Sequence, residues 1–268
     1  MNRDVATKES AGQTVQVNGA DIFYREHGRG RPLLLLHGGT ITGDSWGPYL
    51  PALTEHYRVI VPDTRGHGRS SNPGGTLTYP MLADDVVALS RVLGLEKPVI
   101  AGYSDGGQTV LEIGMRHPDL PGALVAGGAF FRFNESLRTW LRNTLGDGPD
   151  VDVDRFKRDH AEWAAWLEQL YGPEKWKTVL AQVKPMWATE FSYSTDELAR
   201  IVAPTLVLLG DRDEILPVEE AVELFRRLPA AELAVVPGAT HGGFFSSKTA
   251  ALAAGLILDF LERACPRG

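Results

Sequence analysis

Apolar residues follow two rhythms along this chain. Short unbroken runs lie at residues 33–36 (LLLL), 59–61, 99–101, 124–126 and 205–209. Between them, apolar positions recur every three or four residues, as in Leu82, Val86, Leu89 and Leu93. A strand that is apolar on both faces must be covered by helices, and the second rhythm is the stripe through which a helix packs onto a sheet. The pattern predicts strands at the runs and helices at about 79–93, 106–117, 218–228 and 249–263. Strands and helices alternating in this way form an α/β fold, a mostly parallel doubly wound sheet, and right-handed crossovers leave few ways to connect it. Upstream, residues 14–17 and 22–27 predict two more strands joined at Asn18-Gly19, a dipeptide suited to a tight hairpin turn.

One region breaks the rhythm. Residues 131–200 contain no strand-like run, yet hold Trp140, Trp163, Trp166, Trp176 and Trp187, five of the six tryptophans. This predicts a helical insertion, a cap or lid at 131–200, between two segments of one core at 1–130 and 201–268. Pro204 begins the strand that resumes the core, where a missing N–H is tolerated. Aromatic residues at helical spacing serve equally well as the insertion's own core or as walls of a substrate pocket. On the second reading Trp140, Trp163, Trp166 and Trp187 are the candidate substrate contacts.

Composition narrows the function classes. With 268 residues, 43% hydrophobic and 23% charged, the chain has material for a sizeable core, which excludes disorder, collagen and coiled coil. Lys+Arg number 27 against 34 Asp+Glu, a formal charge of -7, so there is no general basic field and nucleic acid is not an expected partner. The first sixteen residues are polar and lack the apolar segment of a secretory signal, and Cys265 is the only cysteine, so no intramolecular disulfide forms; both suit a cytoplasmic protein. The densest apolar stretch, 249–261, contains Asp259 and falls short of the roughly 20 residues that span a bilayer, so no membrane partner is expected. Monomer and dimer both remain open.

Chemistry enters at Gly102-Tyr103-Ser104-Asp105-Gly106, which follows the strand at 99–101 and opens the next helix. A serine on so tight a turn has strained backbone angles, and its neighbours pack so closely that only small residues fit two before and two after it. In a chain with 29 glycines the bare G-x-S-x-G pattern is weak; its placement between strand and helix gives it weight. Nucleotide-binding alternatives have no motif: Asp44 stands where a phosphate-loop lysine would be, and Ser71 where Gly66-His67-Gly68 would need its third glycine.

Four blocks in this order resemble the α/β-hydrolase superfamily: Leu35-Leu36-His37-Gly38-Gly39, Asp63-Thr64-Arg65-Gly66-His67-Gly68-Arg69-Ser70, the Ser104 elbow, and Gly210-Asp211-Arg212-Asp213 with His241. The resemblance covers nearly the whole chain. It implies a serine nucleophile, Ser104, with a base and an orienting acid later in the chain. Of the seven histidines, His241 in the loop after residues 233–236 is the candidate base. Asp213 is the candidate acid, because in the hydrolases this chain resembles the acid lies four residues before a proline, here Pro217. Glu135 is an alternative acid after the preceding core strand, and Asp211 is expected to bind loop backbone. Backbone N–H groups of Gly39 and Asp105 are the expected oxyanion hole. The Asp105 carboxylate is expected to be hydrogen-bonded within the elbow, the alternative being contact with an amine-bearing substrate. His37 is expected to brace its loop, and Arg65 and Arg69 to form structural ion pairs rather than meet an anionic substrate.

These residues predict acyl transfer to water on a small or medium apolar ester, thioester or lactone, with no metal or organic cofactor. Serine rather than aspartate at 104 argues against the dehalogenases and epoxide hydrolases that the chain also resembles. Carbon–carbon hydrolysis, perhydrolysis, aminopeptidase and lyase chemistry remain open. So do two rivals, a biosynthetic tailoring enzyme and a ligand receptor on the same fold.

Overall fold

The computed structural model describes residues 11–265; the start of the polar leader lies outside the described residues. In chain order the elements are β1 Gln13–Val17, β2 Ala20–His27, β3 Arg31–Leu36, α1 Leu50–Leu53, β4 Tyr57–Pro62, α2 Tyr79–Val92, β5 Val99–Tyr103, α3 Asp105–Arg116 and β6 Ala123–Gly127. There follow α4 Glu135–Leu145, α5 Val153–Asp159, α6 Ala161–Tyr171, α7 Lys175–Ala188, α8 Thr195–Leu198, β7 Thr205–Gly210, α9 Val218–Arg227, β8 Ala231–Val236 and α10 Ser247–Ala264.

The eight strands form one sheet in the order β1-β2-β4-β3-β5-β6-β7-β8, in which β2 runs antiparallel to both of its neighbours, β1 and β4, and the remaining pairs are parallel. Asn18 (φ 47°) and Gly19 (φ 76°) both take the left-handed conformation that a two-residue hairpin turn requires. Alternation along the strands sorts the core into two layers. Leu34 and Leu36 pack with Val86, Leu89, Val110 and Leu224 from α2, α3 and α9. Leu33 and Leu35 face the other way, onto Trp46, Tyr49, Leu53, Ile257 and Phe260. This is the two-sided burial that the unbroken apolar runs predict.

Between β6 and β7 lie five helices and no strand. The segment leaves and rejoins the core at one place: the Phe133 N–H donates to the Phe191 carbonyl at 2.7 Å, and the Tyr193 N–H to that of Phe131 at 2.9 Å. Its helices share a separate apolar cluster of Leu141, Phe156, Leu167, Trp176, Leu180 and Trp187, which reaches down to Leu77 and Leu82 of the core. No helix among the described residues is long and apolar enough to cross a membrane.

Candidate active site

Parallel strands deliver their C-terminal loops to one edge of a sheet, and that edge of an open α/β sheet is where ligands bind. Ser104 follows β5, Asp213 follows β7 and His241 follows β8. The three meet there although 137 residues separate Ser104 from His241.

Ser104 has φ 58° and ψ −119°, a strained conformation for a residue with a side chain. The strain is held by close packing. A Cβ on Gly102 would collide with the Gly106 backbone, and one on Gly106 with the backbone of Leu36 and His37. The Ser104 N–H donates to the Gly127 carbonyl at 2.8 Å, and its carbonyl accepts from the Gln108 N–H at 2.8 Å. Its hydroxyl lies 2.9 Å from His241 Nε2. On the far side of the ring, His241 Nδ1 lies 2.7 Å from Asp213 Oδ2.

The Asp213 side chain is fully buried. Burial pushes its carboxyl upward, but the hydrogen bond and charge of His241, with the Leu216 and Ile215 N–H groups donating to Oδ1 at 2.8 and 2.9 Å, hold it below the usual carboxylate value. Tyr103 adds a fourth donor, its hydroxyl 3.2 Å from Oδ2, while its ring stacks on Phe244 with centroids 3.8 Å apart. The Glu214 carboxylate accepts the His241 N–H at 2.9 Å. The role of Tyr103 escaped the sequence reading, its place beside Ser104 being the available signal; Glu214 was one of three carboxylates, with Asp211 and Asp213, seen to follow the strand at 205–209, and its contact with the His241 backbone was not foreseen. Glu135 is exposed and paired with Arg138, while the acid position beside His241 is taken by Asp213. Asp211 accepts from the Gly238 N–H, the backbone role expected of it.

The Gly38-Gly39 loop closes against the elbow. A Cβ on Gly38 would lie 3.2 Å from Ser104 Cβ, and one on Gly39 would collide with the Asp105 carboxylate and the Trp187 ring. His37 braces this loop: Nδ1 donates to the Gly38 carbonyl at 2.7 Å and Nε2 accepts the Thr64 N–H at 2.9 Å. Tyr171 donates to the Ile41 carbonyl at 3.0 Å. Arg65 pairs with Asp85 and Arg69 with Asp63, leaving neither guanidinium for a substrate.

Asp105 departs from its expected environment. Its partners come from outside the elbow: the Tyr79 hydroxyl donates to Oδ1 at 2.9 Å, and Trp187 Nε1 to both oxygens at 2.8 and 2.9 Å. Burial raises its carboxyl to about 6, with the Trp187 and Tyr79 hydrogen bonds opposing the shift.

A cavity of about 530 Å³ opens above Ser104 and His241. Trp140, Trp163, Trp166 and Trp187 all line it, with Thr144 and His160. Trp176 is completely buried in the insertion's own cluster. Four tryptophans thus line the cavity and Trp176 serves the insertion's core alone, while Trp187 belongs to both. No arginine or lysine lines the cavity among the described residues; its charged wall residue is Glu214.

Residues 33–254 match the model of the alpha/beta hydrolase family. The chain is 31% identical to a non-heme haloperoxidase of Rhodococcus erythropolis, over 84% of this chain and 90% of that one. It is 27% identical to a 2-hydroxy-6-oxo-6-(2'-aminophenyl)hexa-2,4-dienoic acid hydrolase of Metapseudomonas resinovorans, over 85% and 83%. A thermophilic esterase from Thermogutta terrifontis superposes with a TM-score of 0.76 at 26% identity, over 95% of this chain and 99% of that one. An eight-stranded, mostly parallel sheet with these crossovers and a family match spanning most of its length lead to one conclusion: the chain belongs to the alpha/beta hydrolase family.

Proposed function

We propose that this protein is a serine hydrolase that cleaves small or medium uncharged carboxylic esters, thioesters or lactones through an acyl-enzyme. The carrying observation is the chain of short contacts from Asp213 through His241 to Ser104, at the floor of an aromatic cavity. Ser104 Oγ attacks the carbonyl carbon while His241 Nε2 takes its proton and passes it to the leaving oxygen. Water, activated by the same nitrogen, then releases the acid. Asp213 accepts from Nδ1, which fixes the ring's tautomer and stabilises its charge in the transition state. The N–H groups of Gly39 and Asp105 serve the oxyanion: neither has a hydrogen-bond acceptor among the described residues, and side-chain identity matters little for such a donor. Residues 131–200 act as a cap that supplies the cavity's tryptophans.

An uncharged substrate follows from the walls. A carboxylate placed in this cavity would meet Glu214 and find no cation to pair with. That separates this chain from a relative named for a dienoic acid.

The test is a panel of chromogenic esters, thioesters, lactones and aminoacyl esters assayed beside Ser104→Ala. Turnover of neutral esters well above that variant is expected. Rates at the variant's level on every member would overturn the proposal and favour a receptor or a tailoring enzyme.

A further inference from the structure

Ser104 and His241 stand at the junction of two chambers of unequal size. Besides the cavity of about 530 Å³, a chamber of about 40 Å³ opens on the same two residues, between the elbow and the neck of the inserted segment. Trp140 and Trp187, their rings 5.4 Å apart, line both and form the partition. The small chamber is walled by Leu137, Phe130 and Asp105, each less than a tenth exposed, with the half-buried Tyr79 and Phe191. The large chamber reaches solvent at its rim, where Trp166 is 43% exposed.

We infer that the small chamber holds the acyl group and the large chamber the leaving group, so that the substrate joins a short, neutral acyl chain to a bulky aromatic alcohol or thiol. This rests on the proposed serine mechanism and specifies its substrate. The order of release assigns the chambers. When the bond from the carbonyl carbon to the leaving oxygen or sulfur breaks and that atom takes the proton from His241, the alcohol or thiol departs while the acyl group stays on Ser104 Oγ. Water must then reach the ester and, losing a proton to His241, hydrolyse it to acid and free hydroxyl. A bulky leaving group does not fit the chamber of about 40 Å³, whereas one in the chamber of about 530 Å³ leaves past the exposed rim at Trp166 and water follows the path it vacates.

Size and polarity set the acyl group. One water molecule needs about 10–15 Å³ of such space, so about 40 Å³ has room for about three atoms of that size, a chain of roughly two to four carbons. The polar groups on the wall are already engaged: the Tyr79 hydroxyl with Asp105, and the Gln108 amide with the Tyr193 hydroxyl at 2.8 Å and the Phe130 N–H at 3.2 Å. What remains for the substrate is apolar surface, with a carboxylate behind it that repels an anionic acyl group. The four tryptophans of the large chamber suit flat aromatic groups.

The experiment pairs two series with Ser104→Ala as blank: naphthyl esters from acetate to octanoate, and acetates of ethanol, phenol and naphthol. The wild type is expected to peak between acetate and butyrate, lose at least tenfold in kcat/KM at hexanoate, and prefer the naphthyl acetate. Leu137→Ala, which deepens only the small chamber, should raise the hexanoate-to-acetate ratio at least tenfold. Trp166→Ala, at the exposed rim, should raise KM for naphthyl acetate severalfold and leave the acyl-length optimum in place. A Ser104-dependent optimum at hexanoate or beyond, or an acyl optimum moved by Trp166→Ala, would overturn the assignment while leaving the serine mechanism standing. Should Leu137→Ala not fold, the wild-type series and Trp166→Ala still decide. Rates at the Ser104→Ala level throughout both series would overturn the mechanism itself.

Discussion

The floor and the walls of this cavity are held in different ways. Ser104, Asp213 and His241 each follow a strand of one sheet, and the ladders between β5, β6, β7 and β8 fix their starting points relative to one another. The tryptophan walls come from α4, α6 and α7, which share an apolar cluster of their own and meet the core through a narrow neck, through Leu77, Leu82 and Leu137, and through a few polar contacts. Hydrogen-bonded strand ends repeat their spacing closely, as a proton relay requires. Helices packed side against side leave room for substitution, as a specificity surface requires. Asp105 joins the two: it sits at the first position of α3, and Trp187 of α7 donates to it.

If floor and walls divide the labour in this way, substitutions should divide too. Ser104→Ala is expected to cost 10⁴ to 10⁶-fold in kcat on the best ester with folding intact, measured by single-turnover hydrolysis beside thermal unfolding. A loss below a hundredfold would end the distinction. Next in size is Trp176→Ala. Its indole is completely buried in the insertion's cluster and absent from the cavity wall, so about 3–5 kcal/mol of stability should be lost, with kcat within tenfold of wild type under native conditions. Urea unfolding and steady-state rates together check this. A collapse of kcat in a folded Trp176→Ala protein would mean that the walls set the chemistry as well as the fit.

The smallest effect probes the junction. Burial raises Asp105 to about 6, above the 3.8 of the unfolded chain, so the folded state binds this proton more tightly. Its contribution to stability is therefore complete below about pH 4, is lost as pH rises through about 6, and stays lost above that. A shift of about two units corresponds to about 3 kcal/mol. Asp213, held below its usual value, is present in both proteins and cancels in a comparison. Glu112, also raised, titrates in both proteins and cancels in a comparison. The stability of wild type relative to Asp105→Asn should accordingly fall by up to that amount from pH 4 to pH 7, read from urea midpoints. Parallel curves would remove Asp105 as the charge-sensitive link between elbow and insertion.

The core strands were legible because they are buried on both faces, which leaves no polar position to break the run; β3, β5, β6 and β7 are of this kind. The edge strand β8 is half-exposed along most of its length, and only its last four residues, 233–236, read as strand from the pattern. Glycines around Ser104 were legible as well, since the backbone of the elbow leaves no volume for a Cβ. The tryptophans were not. Trp163 and Trp176 both lie on helices among apolar neighbours, and periodicity states that such residues face something without stating what.

The order of strands and loops along the chain, and the serine of the elbow, were legible in the sequence because two-sided burial and backbone geometry restrict which residues fit, while the candidate base and acid followed from the resemblance to the α/β-hydrolase superfamily. The tertiary structure decided matters of relation between distant segments. It carried Tyr79 and Trp187 onto Asp105 from 26 and 82 residues away, turned Trp176 inward and four other tryptophans toward the cavity, and divided the space over Ser104 into two unequal chambers. Contacts of that kind depend on how independent helices pack against one another, and packing is a property of the assembled surfaces that no local pattern encodes.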